Sequence, residues 1–317
     1  MKLQLVDELN RKIRDAFDQL RKDHPERFER RLNISYSNWT FGLEDLEEAA
    51  ARMKKYNVPY IELGGDYGGK DVGYQADIQK TRAILDKYDL KVSGVCGFFG
   101  DSNALSTNNN FARQTAMEYI IEEAKFCKAV GGTYLLVVPG TVGRAQPYDS
   151  SDYARSVKTL RSVADIFTET GVLCAVEPIN SAEVPICSTV ASVQGYIRDV
   201  NHPGVQHING DVFHMLCGEK HIGQAILDCG EQLVNLHVED TNRMPLGNGM
   251  MDVDTIIRAL YLLNYNRDGH FVTGEPLGAG RDSYAIMYGR HPESVKEQML
   301  ADTVGTLRER EEAVING

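Results

Sequence analysis

The sequence has no Cys-x-x-Cys pair, no apolar run approaching a membrane span, no low-complexity tract, and no Pro/Gly/Ser-rich stretch that would mark a boundary between domains. The six cysteines, at positions 96, 127, 174, 187, 217 and 229, include several within apolar runs, where cysteine behaves as a small hydrophobe. That usage fits a reduced, cytoplasmic protein. The N-terminus lacks the apolar core of a secretory signal, so neither export nor anchoring is expected. Positive charge is also scarce. With 34 Lys and Arg against 45 Asp and Glu, the net charge of −11 is the wrong sign for displacing counterions from nucleic acid or an anionic membrane. The expected ligand is neutral or cationic, or is reached through a bound metal.

The chain does have a regular alternation of β-type runs and helical periodicity. Residues 1–31 are heavily charged, yet Val6, Leu9, Ile13, Phe17 and Leu20 recur at steps of three and four, the stripe of an amphipathic helix. This extension would either close the bottom of the fold or bind a partner. From residue 32 the pattern predicts strands over 32–36, 58–64, 90–97 and 133–138, with helices over 43–56, 75–88, 111–130 and 152–170. Four further units follow, with strands ending at Glu177, Asp211, His237 and Glu275 and helices over 189–200, 222–229, 253–263 and 292–314. Eight strands, each followed by a helix, is the count of a (β/α)8 TIM barrel over 32–317. An open doubly wound sheet would not gather four successive strand ends so readily.

Those strand ends carry the chemistry. In such a barrel the C-terminal ends of the strands face one pocket. Glu177, Asp211, His237 and Glu275 would meet there, and three carboxylates would repel unless a cation sat among them. Oxygen donors with one imidazole and no thiolate favour Mn²⁺, with Mg²⁺ or Co²⁺ as alternatives, over structural zinc or copper. Each residue also has an ordinary structural use: a strand-end carboxylate can cap the next helix, and a single histidine can be a hydrogen-bonded core residue.

The motifs around these residues carry a resemblance. Glu177-Pro-Ile-Asn-Ser-Ala-Glu183, Asp211-Val-Phe-His214-Met, His237-Val-Glu-Asp-Thr-Asn242-Arg243 and Glu275-Pro276 occur in the order found in the xylose-isomerase-like (β/α)8 superfamily. Within it the chain is similar to ketose 3-epimerases of the tagatose/allulose type, from about residue 32 to the end. The resemblance implies one divalent ion held by Glu177, Asp211, His237 and Glu275. It implies acid/base work by Glu177 and Glu275 on the carbon beside the carbonyl of an unphosphorylated keto sugar, through an enediolate. It also implies substrate contacts by His214, Arg243 and Glu183, the last either at a sugar hydroxyl or one layer behind. Homo-oligomers are common in this family.

Several positions depart from the epimerase pattern. Ser181 stands where an arginine is common, Asp240 where a longer acid is expected, and the 139–147 loop has no tryptophan. The single tryptophan, Trp39, follows the first strand, where it can form an aromatic wall over a substrate or belong to the core. These departures, with the N-terminal extension, also resemble the α subunits of C-glycoside deglycosidases. Those remove the same kind of proton from a 3-oxo-glycoside, expel the aglycone and work with a small β subunit. A sugar-binding barrel without catalysis is a third reading, opposed by the complete set of polar residues. Gly247-Asn-Gly249 and Gly278-Ala-Gly280-Arg281 could cradle a phosphate, but an acidic site would oppose one and turn formation accounts for these glycines.

Overall fold

The computed structural model describes residues 4–65, 77–278 and 283–317. Eight parallel strands, β1 (Ile34–Ser37), β2 (Tyr60–Gly64), β3 (Lys91–Cys96), β4 (Tyr134–Val137), β5 (Leu173–Val176), β6 (His207–Asp211), β7 (Leu233–Val238) and β8 (Phe271–Gly274), pair in sequence order and close on themselves. Closure is made by β8 against β1, with Val272 opposite Ile34 and Gly274 opposite Tyr36. The helices are α1 (Gln4–Asp23), α2 (Leu46–Lys55), α3 (Ile78–Lys87), α4 (Asn110–Ala129), α5 (Asp152–Val163), α6 (Asp165–Thr170), α7 (Val190–Val200), α8 (Val212–Gly218), α9 (Ile222–Cys229), α10 (Val253–Leu262) and α11 (Glu293–Asn316). The eight-stranded barrel and the N-terminal helix are therefore both present. No helix among the described residues is long and apolar enough to cross a membrane. All six cysteines are unpaired.

Local differences from the sequence reading have identifiable causes. The helix expected over 152–170 is interrupted at Ala164 and ends at Gly171, which takes the left-handed conformation (φ 73°) that glycine adopts without steric cost. Helix α8, absent from the sequence reading, starts immediately after Asp211, whose carboxylate accepts from the backbone N–H groups of Phe213 and His214 and so caps it. Residues 75 and 76 of the third predicted helix lie outside the described residues, as do Ala279, Gly280 and Arg281 of the glycine-rich segment after β8.

Helix α1 runs down the flank of the barrel, where the sequence offered closure of its bottom as one reading. Near its start Asn10 bonds the residues that cap the N-termini of α10 and α9, donating to Asp252 (3.2 Å) and meeting His221 Nε2 at 2.8 Å. Toward its end Phe17 packs edge-on against Tyr261, near the end of α10. The apolar stripe is thus matched to α9 and α10, and Ile13 and Phe17 are buried there.

Inside the barrel, period-two alternation places one set of side chains on the axis. The lowest inward positions are apolar: Tyr60, Leu173 and Phe271, with the Tyr60 and Phe271 rings 5.0 Å apart. Two residues further along each strand stand Glu62, Ala175 and Thr273, and two further still Glu177 and Glu275. Branched aliphatics commonly fill such a barrel, whereas here a fully buried polar layer of Ser35, Glu62, Ser93, Asn209, Asn235 and Thr273 lies beneath the strand ends. Gly94 makes room for it, since a Cβ there would meet the Tyr134 ring at 2.5 Å. Tyr134 can thus cross to donate to Glu62 Oε1 at 2.6 Å.

The loop after β1 is fastened to the C-terminal segment. Leu43 N–H donates to the Gly289 carbonyl (2.8 Å), and Gly42, at φ 75°, has no room for a Cβ against that oxygen. Beneath it Arg52 binds Glu44 (2.5 Å) and Glu293 (2.7 Å), stacks over Phe41, and shares Glu44 with Lys296. The side chains of Arg52 and Glu44 are only 2% and 4% exposed, so removing one partner strands a buried charge. Arg52→Ala is expected to lower unfolding stability by about 3 kcal/mol, measured by denaturant titration. A loss below about 1 kcal/mol, the size of a surface pair, would show the cluster to be solvated.

Candidate active site

The inward positions at the ends of β5 to β8 bring Glu177, Asp211, His237 and Glu275 together, all buried. His237 is at the centre. Its Nδ1 lies 3.2 Å from Glu275 Oε2 and 3.7 Å from Glu177 Oε1, while its Nε2 meets Glu62 at 2.9 Å. One potential ligand atom from each of Glu177, Asp211 and His237 lies within 4.8 Å of the others. The same holds for Glu62, His237 and Glu275, and for Asp211, Glu239 and Glu275.

Sequence reasoning missed Glu62, Glu239, Asn209, Asn235 and Tyr284. Glu62 fixes the imidazole: accepting from Nε2–H leaves Nδ1 to face the other carboxylates. Below it an amide chain runs from Thr273 Oγ1 to Asn235 Oδ1 (2.7 Å), from Asn235 Nδ2 to Asn209 Oδ1 (2.7 Å), and from Asn209 Nδ2 to Glu177 Oε1 (2.8 Å). A signal existed for three of these residues. Glu62 is a charge inside an apolar run, and Asn209 and Asn235 each lie two residues before a strand-end ligand candidate, on the same face. Tyr284 had no comparable signal.

The electrostatics follow from burial. Burial, with the charges of Asp211 and Glu275, pushes the Glu177 carboxyl up to about 7 despite His237. Burial likewise raises Glu275, and burial with Asp211 holds Glu239 well above the carboxylate range. For His237 burial acts downward, but Glu275 and Glu62 outweigh it and the imidazole holds its proton well above the ordinary value. Burial would raise Asp211, yet His214 and Arg243 hold it well below its usual range. The arrangement suits a hard divalent cation. Five carboxyls crowd around one imidazole, and the buried Glu239 Oε2 has no hydrogen-bond partner. Asp211 caps α8 through Oδ1, the structural use open to a strand-end carboxylate, while Oδ2 faces His214 Nε2 (3.3 Å) and Arg243 Nη2 (3.5 Å).

A cavity of about 500 Å³ opens onto this cluster, lined by the polar Glu177, His214, Arg243 and Glu275 and by the aromatic Trp39, Phe98 and Tyr284. Trp39 is buried at the cavity: its Nε1–H donates to Glu275 Oε1 at 3.1 Å, and its ring stacks parallel to Tyr284. Arg243 sits in the left-handed region (φ 58°), its carbonyl accepting from Leu277 N–H (3.0 Å) and Gly278 N–H (2.8 Å). Strain of this kind persists where surrounding bonds over-determine it. It aims the guanidinium across the Phe213 ring (4.5 Å) toward Asp211.

Glu183 is not on the cavity wall; its carboxylate is turned to Asn180 Nδ2 (2.9 Å) and Tyr284 OH (2.6 Å). Of the positions where the sequence departs from the epimerase pattern, Asp240 ties its own loop by accepting from Gly247 N–H (2.9 Å) and Met251 N–H (3.0 Å). Ser181 is exposed. From the 139–147 loop, Val142 and Gly143 reach the cavity.

Residues 48–281 match the family described as xylose isomerase-like TIM barrel. An L-ribulose 3-epimerase from Methylomonas sp. (strain DH-1) is 24% identical over 194 residues, 61% of this chain and 67% of that protein. A 3-dehydro-D-guloside 4-epimerase from Escherichia coli (strain K12) is 25% identical over 267 residues, 80% of this chain and 98% of that protein. In three dimensions the chain is similar to a D-allulose 3-epimerase from Methylomonas sp. solved with D-allulose, with a TM-score of 0.74 at 19% identity, covering 89% of this chain and 98% of that one. With the match extending over most of its length, the chain belongs to the xylose isomerase-like TIM-barrel family.

Proposed function

We propose that the protein is a divalent-metal-dependent epimerase of an unphosphorylated keto sugar or keto glycoside. As a sugar isomerase/epimerase it works by moving a proton at the carbon beside a carbonyl. The observation that carries this reading is that Glu177 and Glu275, from strands separated by β6 and β7, both line one cavity, with burial raising both carboxyls above the usual carboxylate value. Carboxylates so tuned can accept a carbon-bound proton and return one at working pH. The 3-epimerase and 4-epimerase names of the relatives support the same reaction class.

Glu177, Asp211, His237 and Glu275 would hold the ion, Mn²⁺ in preference to Mg²⁺ or Co²⁺ given the mixed oxygen and imidazole donors. When bound, such an ion draws electron density from a carbonyl and acidifies the neighbouring C–H. The chain's own residues do the rest. One of the two glutamates takes the proton and the other delivers one to the opposite face. Asn209 orients the first by holding Glu177 Oε1, and Trp39 orients the second by holding Glu275 Oε1. Arg243 and His214 present donors where negative charge develops on the substrate oxygens. Trp39 and Tyr284 cover the sugar face and keep water out, with Glu183 one layer behind.

The test is incubation of the metal-loaded protein in deuterated water with a panel of ketohexoses and 3-oxo-glucosides. Deuterium is expected at the carbon adjoining the carbonyl, with the epimer appearing alongside it. Exchange into none of them, or release of aglycone without any epimer, would overturn the proposal.

A further inference from the structure

We infer that Asn180 is a positioning residue that fixes His214 as the tautomer carrying its proton on Nε2, so that the imidazole enters the cavity as a hydrogen-bond donor. This deepens the epimerase reading and rests on it for its purpose, although the tautomer itself does not depend on which reaction occurs.

The tautomer follows from a count of donors. Asn180 Oδ1 accepts from the backbone N–H of Ala182 at 3.0 Å, and that group can only donate, so the orientation of the amide is settled. Its NH₂ then faces two neighbours, Glu183 Oε1 at 2.9 Å and His214 Nδ1 at 2.9 Å. The Glu183 carboxylate can only accept, and Tyr284 OH donates to its other oxygen at 2.6 Å, which holds it in place. One amide hydrogen therefore goes to Glu183 and the other to His214 Nδ1, which must be an unprotonated acceptor. A doubly protonated ring is disfavoured on the same ground, because it would set N–H against N–H at 2.9 Å.

The other nitrogen meets a competing donor, since Arg243 Nη2 lies 3.4 Å from His214 Nε2. Were Nε2 to accept from Arg243, Nδ1 would have to carry the proton and oppose Asn180 at the shorter distance. Asp211 Oδ2 resolves the competition: Arg243 Nη2 donates to it at 3.5 Å, so the guanidinium has an acceptor other than the imidazole, and a protonated Nε2 lies 3.3 Å from the same oxygen, where a proton is favoured. The 2.9 Å contact on Nδ1 decides the tautomer. Two donors, one aromatic and one guanidinium, then converge at the cavity wall, where a substrate oxygen gaining charge needs them. Tyr284, on the segment carrying the aromatic wall, is the outer end of this chain.

The test is long-range ¹H–¹⁵N correlation of the full-length protein labelled with ¹⁵N-histidine and loaded with diamagnetic Mg²⁺. The His214 signals are assigned by their loss in His214→Gln. Nδ1 is expected at a pyridine-type shift and Nε2 at a pyrrole-type shift. Asn180→Asp, which replaces the donor at Nδ1 with an acceptor, should move the proton to Nδ1 and lower kcat about a hundredfold with little change in KM. A wild-type spectrum with Nδ1 protonated, alone or together with Nε2, would overturn the inference, as would an Asn180→Asp protein that keeps the wild-type tautomer. The expected tautomer in a protein that exchanges no sugar proton would instead count against the epimerase reading alone.

Discussion

In Glu275→Gln, solvent deuterium is expected to enter the substrate about a thousandfold more slowly than in the parent protein. The amide is nearly isosteric, and its oxygen can still accept the Trp39 N–H now directed at Glu275 Oε1. What it cannot do is take up a proton at the reacting carbon. The substitution also removes one negative charge from a cluster whose balance depends on five carboxyls around His237. Elemental analysis of the variant separates these two effects. Retained metal with lost exchange assigns Glu275 to proton transfer, while lost metal with lost exchange assigns it to ion binding. Retained metal with parental exchange would remove it from both roles. Glu177→Gln allows the same comparison on the other side of the site, where Asn209 can still donate to the amide oxygen.

How much of this site could be read from the sequence depended on whether a residue's role is set by its own strand. Glu177, Asp211, His237 and Glu275 were legible because each ends an apolar run and the barrel brings strand ends together. The eight strands were legible through period two and the helices through period 3.6. What could not be read are relations across the barrel. That Glu62 on β2 would orient His237 on β7 depends on closure and on the space Gly94 leaves for Tyr134. The orientation of Glu183 away from the cavity depends on Tyr284, a hundred residues downstream in sequence and brought over the site by the fastening of 283–292 to the loop after β1. Asp240 was singled out as a departure, yet it is the neighbouring Glu239 that faces the cluster. Strand alternation continues one residue past β7, and Asp240 turns to its own loop.

Stripping the protein with a chelator is expected to abolish exchange and to lower the thermal unfolding midpoint, with both restored by Mn²⁺. An ion bound only to the folded state adds about 2.7 kcal/mol at a concentration a hundred times its Kd. The direction of the pH dependence follows from the site. Without a cation, His237 keeps its proton well above its ordinary range and Glu177 titrates near 7, so protons supply some of the positive charge the carboxyls require. A metal ligand must give up its proton. Loading at pH 7 should therefore release roughly one to two protons per ion, read with an indicator dye in weakly buffered solution. Apparent affinity should weaken as pH falls, because each step down returns protons to the groups with which the ion competes. Glu239 tests the extent of the site: Glu239→Gln leaves the proposed ligands and His237 in place, so an ion held by those four alone should still bind and displace protons. If Mn²⁺ leaves both the unfolding midpoint and the proton count unchanged, the buried carboxyls are balanced by protons alone and the cluster is not a metal centre.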